Sequence, residues 1–74
     1  MNLAEIKMFL ITNNFDTIDG YFYFKSDHHG GRKSIEVKKG NLGFEFTCQW
    51  LDDEDGWEES PIFYNLREAL NWFE

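Results

Sequence analysis

The sequence predicts an α+β domain over residues 1–74: a four-stranded antiparallel meander with an N-terminal and a C-terminal helix packed on one face, in the order α-β-β-β-β-α. Three observations lead there. Helically spaced apolar residues are confined to the two ends of the chain, at Leu3, Ile6, Phe9 and Leu10 and at Leu66, Ala69, Leu70 and Phe73. The stretch between them is rich in β-formers, with apolar-polar alternation clearest from residue 34 to 51. Short Gly, Asn and Asp punctuation joins the strand-like runs, which suits hairpins better than crossovers.

Asn2-Leu3-Ala4-Glu5 has the form of a capping box, with Asn2 as N-cap and Glu5 three residues on. A helix of about three turns follows, and Asn13-Asn14 stops it because Asn tolerates the left-handed conformation. Phe15 to Gly20 is a connector ending in an Asp-Gly turn. Tyr21-Phe22-Tyr23-Phe24 is a strand by composition. Either all four aromatics are buried, or Phe22 and Phe24 face the core and Tyr21 and Tyr23 show their hydroxyls to water. The second arrangement fits a sheet covered on one side.

Ser26 to Lys33, with Asp27-His28-His29-Gly30-Gly31, reads as a loop. Ser34 to Lys39 alternates with Ile35 and Val37 inward, and Gly40-Asn41 turns the chain. Gly43 to Leu51 is the cleanest strand, with Phe44, Phe46, Cys48 and Trp50 on one face and Glu45, Thr47 and Gln49 on the other. Trp57 to Tyr64 makes a fourth strand, which Pro61 assigns to an edge because proline cannot donate to a ladder. Asn65 and Glu68 repeat the capping pattern and open the second helix.

At 74 residues the chain is near the lower limit for a self-sufficient core. Cys48 is the only cysteine, so aromatics must supply the stabilisation: eight Phe, three Trp and three Tyr. A buried aromatic removes roughly 150–250 Å² from water. A lone cysteine without a signal peptide leads us to expect a cytoplasmic protein, and no apolar run approaches the ~20 residues of a membrane span. The formal charge of −7 argues against nucleic acid and anionic membranes as direct partners. Charge is also segregated. Residues 25–39 hold Lys25, Arg32, Lys33, Lys38 and Lys39, whereas residues 45–59 hold seven acids and no base.

The densest feature is the stretch from Gln49 to Glu59, where Asp52, Asp53, Glu54, Asp55, Glu58 and Glu59 fall within eight residues, with Trp50 before them and Trp57 among them. Asp55-Gly56 between two strand-forming runs reads as a hairpin tip. An extended chain advances ~3.3 Å per residue, close to the ~3.4 Å phosphate spacing of one DNA strand. Such a hairpin therefore offers the charge density of a nucleic-acid strand to a basic protein surface. Like charges opposed across a hairpin are destabilising, so their retention points to a role. The expected partner-binding residues are Asp52, Asp53, Glu54, Asp55, Trp57, Glu58 and Glu59. Trp50 and Trp57 flank the patch, tryptophan being a typical interface anchor. The plainer reading of both is packing, with Trp50 on the apolar face of its strand read as core. The plainer reading of the acids is a solvated tip that blunts an edge strand.

Other chemistries fit less well. Aligned on Gly56, an EF-hand would need oxygen ligands where Leu51 and Ile62 stand, which leaves only a weak cation site of another kind. Neither His28-His29 nor Cys48 has the converging partners zinc wants, and Gly30-Gly31-Arg32-Lys33-Ser34 lacks the spacing and helix of a phosphate loop. Cys48 reads as a small buried residue. No nucleophile-base pairing or cofactor motif stands out, so an enzyme is not expected. A single-stranded nucleic-acid binder using Tyr21 to Phe24 with Lys25, Arg32 and Lys33 is the alternative.

In size, acidity and aromatic content, though in no motif, the chain resembles the small acidic proteins that bacteriophages use against host defences. These include nucleic-acid-mimicking inhibitors and some anti-CRISPR proteins. The resemblance implies a nucleic-acid-mimicking inhibitor. From the residues themselves we expect a non-enzymatic module without cofactor or metal, a monomer or weak homodimer, that docks on a basic protein surface such as that of a nucleic-acid-binding protein.

Overall fold

A computed structural model describes residues 1–52 and 56–74. Seven elements follow one another: α1 (Leu3–Thr12), β1 (Asp16–Thr17), β2 (Phe22–Ser26), β3 (Arg32–Gly40), β4 (Gly43–Asp52), β5 (Gly56–Phe63) and α2 (Leu66–Asn71). The strands form one antiparallel sheet in the order β1-β2-β3-β4-β5. The α+β class and the meander agree with expectation, but the sheet has five strands rather than four.

The added strand is β1, in the stretch expected to be a connector. Side chains close its hairpin. Thr17 Oγ1 donates to the Phe22 carbonyl and accepts the Gly20 N–H, both at 2.8 Å. Asp19 Oδ1 accepts the N–H groups of Tyr21 and Phe22, which hold its carboxyl below the usual range. Two paired residues are too few to show a strand period.

Both helices start as their sequences require. In α1, Asn2 Oδ1 accepts the Glu5 N–H at 2.9 Å and Glu5 Oε1 accepts the Asn2 N–H at 3.0 Å. Asn14 ends the helix at φ +71°, the left-handed conformation for which Asn pays little. Asn65 Oδ1 accepts the Glu68 N–H at the start of α2.

The core lies on one face of the sheet. Tyr23, Ile35 and Cys48 stand in register across β2, β3 and β4, and all three are fully buried. Val37 and Phe46 form the next buried row. Ile6 and Leu10 from α1, Leu66 and Ala69 from α2, and Phe15 and Phe73 complete the same cluster. Both helices thus cover the same side.

Tyr23 reverses the expected phase of β2. Its ring is in the core, and its hydroxyl donates to the Gly20 carbonyl at 3.0 Å. Phe22 and Phe24 turn to the helix-free side and stack on each other with centroids 6.1 Å apart. Pairing with Ile35 sets this phase, and the hydroxyl permits it, because a nearby carbonyl satisfies it and lets tyrosine occupy a core position.

β5 is an edge strand, as Pro61 implies, and it carries a bulge. The register slips between Thr47, which pairs Ile62, and Gln49, which pairs Glu59. At the slip, the Cys48 N–H donates to Ser60 Oγ at 2.8 Å, and the Ser60 hydroxyl donates to the Pro61 carbonyl at 2.7 Å. The buried serine thus supplies the acceptor that an irregular ladder lacks. Ser60→Ala should lower unfolding free energy by about 1–3 kcal/mol in urea denaturation; no change in the midpoint would show the bond to be dispensable.

Candidate functional site

β4 and β5 converge on the acidic hairpin, with Asp52 and Gly56 paired at its end. Gly56 has φ +91°, which a side chain would strain, so the glycine of the Asp-Gly pair is required by backbone geometry. Asp53, Glu54 and Asp55 lie outside the described residues.

The register places the other four. Asp52, Trp57, Glu58 and Glu59 are all exposed. Leu51 pairs Trp57, Trp50 pairs Glu58 and Gln49 pairs Glu59. Among the described residues, then, no carboxylate of this hairpin opposes another across the ladder. The expected like-charge opposition is not built by this register. Alternation also divides the residues between two faces. Asp52 and Glu58 flank Trp50 on the helix side, around a hollow of about 140 Å³. Trp57 and Glu59 stand with Leu51 and Gln49 on the helix-free side.

The two indoles differ accordingly. Trp57 is 58% exposed. Trp50 is half-buried, meets Phe73 edge-on at 6.0 Å, and carries the Lys33 ammonium 4.7 Å above its ring. Trp50 is therefore a packing residue at the base of the hairpin and Trp57 is its exposed aromatic.

What fixes that base is Asp27, which the sequence shows only as a loop residue. Its Oδ2 accepts the Trp50 Nε1–H at 2.8 Å. Its Oδ1 accepts the N–H groups of His29 and Gly31, also at 2.8 Å. One carboxylate thus folds the β2–β3 loop and ties it to β4. Gly31 is buried against this clasp, and a Cβ there would fall on the Leu51 carbonyl oxygen and 2.7 Å from Asp27 Oδ2. An Asp followed closely by two glycines is the local signal of such an Asx turn; the partner 23 residues away has no local signal.

The basic stretch is likewise divided. Lys25 and Lys33 pair across β2 and β3 on the helix side. Lys25 Nζ sits 4.6 Å from the Phe15 ring centre and donates to the Asn13 carbonyl. Burial and the neighbouring Lys33 charge lower its pKa. Phe22 and Phe24 are on the opposite face, where Arg32 shares the surface with Glu36 and Glu59. The expected aromatic and basic set is thus divided, with Tyr23, Lys25 and Lys33 on one face and Phe22, Phe24 and Arg32 on the other.

Cys48 is buried, its thiol pushed up to about 11 by desolvation, with Sγ 3.4 Å from the Ala69 carbonyl. That suits packing and not nucleophilic attack. Among the described residues no group of three or more His, Cys, Asp or Glu side chains is placed to hold a metal ion, and no helix is long and apolar enough to cross a membrane. No protein-family model, curated protein or solved structure matches the chain.

Two predictions follow from the clasp. The Trp50 indole N–H, with the His29 and Gly31 amides, holds the Asp27 carboxyl below its ordinary value. A depressed carboxylate pKa stabilises the fold above the unfolded-state value of about 4 and loses that contribution as pH falls through the folded value. Asp27→Asn should therefore flatten the fall in Tm below about pH 4, and in wild type Trp50 fluorescence should change over the same range. An unchanged acid limb would remove Asp27 from this role. Gly31→Ala should destabilise by about 1–3 kcal/mol through overpacking against backbone, measured by urea unfolding; a neutral effect would mean that Leu51 has room to move.

Proposed function

We propose that this protein is a non-enzymatic binding module whose β4–β5 hairpin docks on a basic surface of another protein. The observation that carries this reading is the exposed Trp57 on the edge strand β5, with Glu59 on its own face and Asp52 and Glu58 on the other face of the same hairpin. An aromatic anchor within a field of carboxylates suits a cationic protein surface, where the indole fills a pocket and the acids steer the encounter. Carboxylates on both faces of the hairpin suit a cleft that grips it from two sides.

A cleft of that charge is typical of a nucleic-acid-binding protein, so the reading extends to an inhibitor that occupies such a site by charge mimicry. Phage anti-defence proteins, anti-CRISPR proteins among them, act in this general way. In this reading the protein works in the cytoplasm as a monomer or weak homodimer.

The test is paired capture from host lysate with stepped salt elution. One bait is wild type; the other carries Asp52→Asn, Asp53→Asn, Glu54→Gln, Asp55→Asn, Glu58→Gln and Glu59→Gln. The expected result is a protein held only by wild type and released as salt rises from roughly 0.1 to 0.5 M, where the Debye length falls below about 5 Å. Trp57→Ala should weaken retention at every salt step, by about tenfold or more in affinity for a hot-spot residue. Equal retention by the amide variant would overturn the reading.

A further inference from the structure

At the opposite end of the sheet from the acidic hairpin, a groove of about 440 Å³ opens in the gap between α1 and α2. Phe9 from α1, Phe44 and Phe46 from β4, and Leu66 from α2 line it, with Tyr64 and Arg67 at its rim. It lies at the Gly43 end of β4, about 30 Å from the hairpin for ten residues of extended strand. Its volume is in the range of small-molecule sites, roughly 300–1,000 Å³.

The charge of the groove is opposite to that of the chain. No acidic residue lines it, whereas Arg67 does. Lys39 is in register with Phe44, on the same side of the sheet, and both cations are exposed. Neither has an ion pair with a described residue. Glu45, the neighbouring acid on β4, points to the other face, in register with Lys38. On a protein of formal charge −7, this is a groove of mixed apolar and polar lining with one cation, Arg67, on its wall and a second, Lys39, on the neighbouring strand.

We propose that the groove binds an alkyl carboxylate, its chain laid over Phe9 and Phe44 and its head group on Arg67, with Lys39 adding positive charge from the strand next to Phe44. The apolar chain leaves water against aromatic rings, and a planar guanidinium takes a carboxylate through two parallel hydrogen bonds. This site is independent of the hairpin.

The test uses ¹⁵N-labelled protein titrated with octanoate, 1-octanol and octylammonium, three probes with one chain and three head charges. Octanoate should shift the amides of Phe44, Leu66 and Arg67 and bind at least about tenfold more tightly than octylammonium. Arg67→Gln with Lys39→Gln should remove that preference and leave 1-octanol binding unchanged. The wild-type head-group series stands without any variant. Absence of octanoate binding, equal binding of the ammonium probe, or shifts centred on Phe22 and Phe24 would each overturn the proposal.

Discussion

The fold depends on one row of side chains, Tyr23–Ile35–Cys48, fully buried and in register across the three central strands. Strand alternation has a period of two, so fixing this row fixes the facing of every other residue in β2, β3 and β4. A slip by one residue would place Phe22 and Phe24 under the helices and expose Ile35. The row's polar atoms are satisfied by backbone on both sides. The Tyr23 hydroxyl reaches Gly20 in the β1–β2 turn, and the Cys48 thiol lies against Ala69 in α2. Sheet, turn and helix are thereby locked to one register, which apolar contact alone would specify less sharply.

The same register distributes the charge. Lys25 and Lys33 fall on the helix side, where their stems cover apolar surface and their ammonium groups rest over Phe15, Trp50 and Phe73. The stretch that is basic in sequence is thus only partly a basic surface. At the hairpin, Asp52, Glu58 and Glu59 face Gly56, Trp50 and Gln49 across the ladder. Repulsion is reduced there by interleaving uncharged partners, so the acids impose less on stability than their density in sequence suggests.

Much of this was legible beforehand. Capping residues and apolar stripes located both helices, alternation located β3 and β4, and Pro61 located the edge. Each of those signals is local. What was not legible has a common cause. β1 is too short for a period. The phase of β2 cannot be read from Tyr-Phe-Tyr-Phe, because every residue is aromatic and the choice turns on pairing with Ile35 and on a carbonyl that accepts the Tyr23 hydroxyl. Asp27 and Gly31 matter through Trp50 and Leu51, residues that only the sheet brings near. The division of the hairpin between two faces follows from register, and charge density in sequence carries no register.

The clasp bears on whether the hairpin binds or merely solubilises. Asp27 and Gly31 hold Trp50 and Leu51 from the neighbouring loop, so the strands leave a fixed base toward Asp52 and Gly56. A preorganised projection loses less freedom on docking than a mobile one. Edge protection accounts for the carboxylates, since charges on an edge strand discourage pairing with other chains. It does not account for Trp57, 58% exposed, beside Leu51, 47% exposed, on the same face. Solubility has no need of an indole next to a leucine on one exposed face. An interface does, because apolar contact supplies affinity that screened surface charges cannot. The pairing of an anchored base with an exposed indole is thus the feature on which the proposed docking role rests.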